Sequence, residues 1–387
     1  MTRKGRRCIT LLCLVAVTVG GAVHAAPPVG AGVSFTVGPA LLDLTASPGA
    51  SGTHELTVRN TGDVPLAATV VVEPVLDLAE DHSAVSWLSV SPAEIKVEPA
   101  AEQEIAVAVT VPDASASGGR YAKVVITTEA GEPGENAAAI AGQLGVGVLV
   151  TVDGEGELIR AAEVAKFAPV LEADGRVGFR ALVRNSGNVH LVPRGEIHVA
   201  EPGEAAAGKL DLKETTPHLP GATVVRASHG SLPLAPGTPY DATLDVVYLD
   251  GEEERHAEAA TTFTVDPSLT LTNASLCENL DRGPTLRVGL LNEGTIGLEA
   301  TLSITVQSAS GQSISGVTLP EPAIAWPKET TELVTDIPQR LESGAYVLVV
   351  TAMFGAGDSV DTQAPFTIGG LDGTPIPLCA SDAARSS

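Results

Sequence analysis

One phrase occurs three times in this chain: an alternating apolar run, then Asn-x-Gly, then a second alternating run. It reads Val58-Arg59-Asn60-Thr61-Gly62 ahead of Leu66–Val72, and Val183-Arg184-Asn185-Ser186-Gly187 ahead of Glu196–Val199. It returns as Leu290-Leu291-Asn292-Glu293-Gly294 ahead of Leu298–Val306. The copies stand about 125 and about 107 residues apart, and each step is the size of one sandwich domain. A repeat at that spacing predicts an all-β chain of tandem immunoglobulin-like β-sandwich domains. At each copy the chain must reverse or cross between strands. Gly62, Gly187 and Gly294 suit a backbone with φ > 0, while Asn60, Asn185 and Asn292 can bond their own backbone two residues on. These six are read as structural turn residues.

The flanking segments alternate with period two. Ile105, Val107, Val109 and Val111 share one face of their run, as do Leu144, Val146, Val148, Val150 and Val152. Phe179, Ala181 and Val183 precede the second phrase, and Leu286, Val288 and Leu290 precede the third. Leu244, Val246 and Tyr248 run into a hairpin turn at Asp250-Gly251, with the charges of Glu252–Arg255 at its tip. Gly119-Arg120-Tyr121 and Gly344-Ala345-Tyr346 open equivalent late strands, with Gly237-Thr238-Pro239-Tyr240 the nearest counterpart between them. No stretch holds a helical period over ten residues; Ala161–Ala168 has room for one turn. Aromatic residues make up only 3%, so the cores must be built from Val, Ala and Leu, with Trp87 as a plug between the sheets of the first domain.

The expected organisation is a signal peptide at 1–25, sandwiches at 26–153, 154–266 and 267–370, and a polar tail at 371–387. Arg3, Lys4, Arg6 and Arg7 form a basic start, Cys8–Val19 an apolar stretch, and Val23-His24-Ala25 a cleavage site. Arg6-Arg7 allows a twin-arginine reading, but Cys8-Ile9-Thr10 fits that signal poorly and the general secretory route is favoured. A lipoprotein anchor at Cys13 is rejected, because Leu11-Leu12 precede it. No later apolar stretch approaches a membrane span of about 20 residues. The chain is therefore read as exported, extracellular or at the cell surface.

The net charge is −24, and losing the basic leader makes it more negative still. That argues against nucleic acid and anionic lipid as partners. Export also permits oxidation. Cys277 and Cys379 remain after the leader and bracket the third repeat, which predicts a disulfide pinning the tail. Closing a loop of about 100 residues would contribute about 4 kcal/mol in the chain-entropy account.

Chemistry is sparse. The histidines at 54, 82, 190, 198, 218, 229 and 256 are scattered; His190 and His198 flank a turn but lack the further ligands zinc requires. There is no His-Glu-x-x-His, Gly-x-Ser-x-Gly or phosphate-cradling loop. Asp153, Glu155 and Glu157, spaced by glycines, could hold Ca²⁺ at the first domain junction or form a solvated linker. No other cofactor is expected, and the chain is read as a non-enzyme.

Phe35–Leu44, Ser47-Pro48-Gly49, Val58–Gly62, Trp87-Leu88-Ser89-Val90-Ser91-Pro92, Val97-Glu98-Pro99, Val109–Pro112, Gly119-Arg120-Tyr121 and Gly145–Val152 resemble bacterial immunoglobulin-like surface modules. The nearest resemblance is to the peptidoglycan-binding domain of WxL-interacting proteins, and the Trp87 block is also similar to BACON-type domains. The resemblance covers the first domain. It implies a cell-envelope binding or structural protein contacting peptidoglycan, another surface glycan or a surface protein. The WxL-interacting family carries a C-terminal membrane helix, which this sequence lacks. Two alternatives stand beside that reading: a chaperone-like assembly protein working by strand complementation, and an accessory carbohydrate-binding region of a secreted enzyme complex.

Overall fold

The computed structural model describes residues 34–368, except 77, 129–141, 204–205, 214–216, 280–282, 320 and 337–340. The expected signal peptide and polar tail lie outside the described residues. So does the Cys277–Cys379 pairing, since Cys379 is not among them and only the backbone of Cys277 is described. No helix among the described residues is long and apolar enough to cross a membrane.

The chain is all-β, folded as immunoglobulin-like sandwiches in series. The first contains β1 (Phe35–Gly38), β2 (Leu41–Ala46), β3 (Ser51–Asn60), β4 (Leu66–Glu73), β5 (Leu88–Ser91), β6 (Glu94–Val97), β7 (Glu102–Thr110), β8 (Gly118–Thr128) and β9 (Gln143–Val152). One sheet runs β1-β3-β7-β5 and the other β2-β9-β8-β4-β6. Period-two alternation decides which side chains meet between them. Leu56, Val58, Ile105, Val107, Val124, Ile126, Val148 and Val150 all have zero exposure. Leu144, expected inside with its run, overshoots the end of the sandwich and is 39% exposed.

The second sandwich contains β10 (Ala162–Leu171), β11 (Val177–Asn185), β12 (Arg194–Ala200), β13 (Ala206–Leu212), β14 (Thr223–His229), β15 (Pro239–Asp250) and β16 (Glu253–Thr264). Of the 161–168 stretch, with room for one helical turn at most, residues 162–168 belong to β10. A register shift between Val164 and Lys166 interrupts the alternation that would have marked it as a strand. The third sandwich contains β17 (Leu269–Asn279), β18 (Gly283–Asn292), β19 (Gly297–Ser308), β20 (Ser313–Thr318), β21 (Ala323–Ala325), β22 (Glu329–Asp336), β23 (Gly344–Phe354) and β24 (Asp358–Ile368).

Domains two and three are fused. β10 pairs in parallel with β19 at Val170–Gly297 and Leu171–Leu298, so one sheet continues across the boundary. Their interiors form a single apolar cluster, whereas the first domain has its own. Polar clasps reinforce the joint. Arg180, 8% exposed, lies between Glu172 (3.3 Å) and Glu299 (3.5 Å). Lys166 reaches Glu329 at 2.6 Å and sits 4.7 Å from the centre of the Trp326 ring.

The junction between domains one and two is narrower. Asn188 stitches it: its side chain accepts from the Ile159 N–H and donates to the Glu157 carbonyl, while its own carbonyl accepts from the Gly119 N–H at 2.7 Å. His190 reaches Asp43 of β2 at 3.2 Å and packs edge-on against Tyr121. Burial pushes the Tyr121 phenol far above its ordinary value.

Candidate functional site

The three repeated phrases are scaffold, and their chemistry is more elaborate than a turn. Asn60, Asn185 and Asn292 are 1%, 0% and 0% exposed. Each accepts the N–H of its glycine at 2.9 Å, as expected. Each also donates twice through Nδ2. One bond goes to the carbonyl four residues on, at Val64, Val189 or Ile296. The other goes to a carbonyl distant in sequence, at Val97, His218 or Ala325. One amide thus closes the turn and ties it across the domain.

The expected positive φ is absent from Gly62, Gly187 and Gly294. At two of them glycine is required by close approach instead. A Cβ on Gly187 would lie 2.2 Å from the Ile159 carbonyl oxygen, and one on Gly294 would lie 2.7 Å from that of Asp266. The segment that leads into the first strand of each of those domains passes directly over the turn.

The structure has a second repeat. Glu98-Pro99-Ala100-Ala101, Leu219-Pro220-Gly221-Ala222 and Trp326-Pro327-Lys328-Glu329 each form a turn whose fourth N–H bonds the first carbonyl. The third residue takes φ of 62°, 74° and 60° respectively. Proline second and a left-handed residue third define a type II turn. The shared proline was the available signal.

Trp87, expected between the sheets, is only half-buried. It packs on the rim of the first core, with the Arg120 guanidinium 5.8 Å from its ring centre. The centre is already filled by aliphatic side chains, and the cation above the ring keeps one face toward water. Asp153, Glu155 and Glu157 do not gather round a shared point. Their side chains are exposed, and the nearby main chain bonds Ala46, Ser117 and Asn188 separately. Among the described residues no group of three or more His, Cys, Asp or Glu side chains is placed to hold a metal. His190 and His198 also diverge, the first to Asp43 and the second to Glu196.

The buried pair His218 and Arg226 is structural. His218, 1% exposed, accepts from the Arg226 guanidinium at 3.0 Å, and burial with that neighbouring charge lowers it to about 4. On the exposed face of domain two, His256 is raised by its bond to Asp245, while Lys209 and His198 hold Glu196 below the usual carboxylate range.

The feature best suited to a partner is an open lip in domain one. The entering chain switches sheets: β1 pairs with β3, then β2 crosses to pair in parallel with β9. β1 covers only Thr57–Asn60 of β3, so among the described residues Ser51–Leu56 has a strand on the β7 side alone. The bonds at the ends of β3 fix the alternation. Asn60 donates to Ala101 and accepts from Ala100, and the Ala50 carbonyl accepts from the Val111 N–H, so Gly52, His54 and Leu56 also bond the β7 side. The N–H and C=O groups of Ser51, Thr53 and Glu55 therefore face the open side. The outer edge of β2 is likewise unpaired among the described residues. Between the two edges lies a cleft of about 430 Å³, floored by Val109, Val111 and Val150 and lined by Leu44, Ala46, Gly52 and His54, with Asp43 at its margin.

A larger groove of about 530 Å³ in domain two is lined by Arg194, Glu196, Asp211, Lys213, His229 and Glu254. Its mixed charges give it no evident ligand class. The aromatic side chains offer no alternative: none of the six Phe, two Trp and four Tyr is exposed.

No protein-family model matches the chain, and no curated protein matches it. Solved structures share its β-sandwich build at low identity. The YadV chaperone is 10% identical, over 59% of this chain and 99% of that one, with a TM-score of 0.34. The E. coli chaperone DraB is 14% identical over 59% and 98%, with a TM-score of 0.33. A Salmonella enterica SafA pilin complex with the SafB chaperone gives 15% identity over 59% and 96%, with a TM-score of 0.32. At TM-scores this low nothing about function passes from those proteins to this chain.

Proposed function

We propose that this protein is an exported, non-catalytic binding protein that holds an extended segment of another exported protein by adding it as a strand. The observation that supports the reading is the free half of β3, where Ser51, Thr53 and Glu55 present main-chain donors and acceptors beside an apolar cleft. An unpaired edge is a template for another strand, and main-chain bonds there supply affinity while pockets supply choice. The glycan reading carried by the WxL resemblance is less well served. Sugar rings stack on exposed aromatic faces, and every aromatic side chain here is buried or half-buried.

Thr53→Pro separates the readings. The Thr53 N–H faces the open side, so proline removes a donor needed by an added strand but none that bonds β7. The wild-type chain should co-purify with one exported protein in stoichiometric amount and protect it from proteolysis, and T53P should lose both properties. Equal sedimentation of wild type and T53P with protein-free cell walls, without such a partner, would sink strand addition in favour of glycan binding.

A further inference from the structure

The chemistry of the lip specifies what kind of segment it accepts. Gly52 occupies an inward-facing position in β3, between the alternating inward sites of β3 and directly opposite Val109. Gly52 itself is exposed, and with no side chain there a gap is left above Val109, which is 5% exposed. A Cβ at Gly52 would meet only His54 Nε2, at 3.5 Å, so close packing does not demand the glycine. The margins carry charge of one sign. Asp43, 56% exposed at its side chain, stands on the β2 side, and exposed Glu55 stands on the β3 side. His54 is the one lining group able to take a positive charge.

Resting on the strand-addition reading, we infer that the lip selects an extended segment with a branched aliphatic side chain opposite Gly52 and lysine or arginine at its flanks. The aliphatic group fills the space left by the missing side chain and packs against the half-buried Leu44, Ala46 and Ala50 of the cleft. The basic flanks meet Asp43 and Glu55 and are drawn in by a chain of net charge −24. A second copy of this chain is disfavoured as occupant by the same charge, since both edges would bring carboxylates.

The test uses the full chain and labelled nine-residue peptides of alternating threonine and valine, with two lysines or two glutamates at each end, followed by fluorescence anisotropy. The lysine-flanked peptide should bind about tenfold more tightly than the glutamate-flanked one, with the gap narrowing at high salt. D43K/E55K should reverse the preference. G52V, which fills the cleft from within, should weaken the lysine-flanked peptide about tenfold while circular dichroism stays unchanged. Loss of binding in T53P without any charge preference in wild type overturns this inference and leaves strand addition standing. Absence of binding by either peptide, or binding that survives T53P, overturns both. Concentration-dependent dimerisation in ultracentrifugation that T53P abolishes would make a second copy the occupant and overturn the basic segment.

Discussion

A carboxamide can do what the three buried asparagines do because it carries an acceptor and two donors on one planar group. Replacing Asn185 with alanine removes the side-chain partner of the Val189 carbonyl and the Gly187 N–H and leaves the His218 carbonyl with the Leu191 N–H alone. N185A should lower unfolding free energy by about 3 kcal/mol in urea titration. N185D should cost at least as much, since it aims a carboxylate oxygen at two carbonyls. A smaller loss in N185D than in N185A would contradict the donor geometry. The proline turns give a paired test with opposite signs. Ala100 holds φ of 62° with a Cβ that dislikes it, so A100G should stabilise by about 0.5–1 kcal/mol. Gly221 holds the equivalent place at 74°, and G221A should destabilise by about 1 kcal/mol. Equal signs from the two would show that the turns are not equivalent.

At the level of strands and their connections, His218 links domain two to pH. Its folded value of about 4 lies below the ordinary 6.5, so the unfolded chain binds its proton first as pH falls. The contribution is fully present above about pH 6.5, is lost progressively down to about pH 4, and amounts to a few kcal/mol at most, on the order of 3. Urea midpoints across that window should fall with pH, and H218Q should flatten the slope. The strands themselves were legible because one face of each is buried, which writes period-two alternation into the residues; Ile105, Val107 and Val109 are examples. The asparagine bond to the following glycine was legible too, being local. The bonds to Val97, His218 and Ala325 were not, because nothing near the asparagine announces a partner more than thirty residues away. The lip was equally hidden. It arises from where β1 stops pairing, and an unpaired strand alternates like a paired one.

For the molecule as a whole, two apolar interiors imply two cooperative units. Calorimetry should show two transitions, with N60A lowering one and both N185A and N292A lowering the other. A shift of three separate transitions, or of a single common one, would contradict the shared interior of domains two and three. That sharing was not foreseen from the residues. It rests on two parallel pairs, Val170–Gly297 and Leu171–Leu298, and a contact so short leaves no pattern beyond that of its own strands. It also has a mechanical meaning. Domains two and three share one interior, and domain one is joined to them through the contacts around Asn188 and His190. Asp43 belongs both to those contacts and to the rim of the open lip. A load hung from β3 would therefore reach the Asp43–His190 contact before it reached the shared interior of domains two and three.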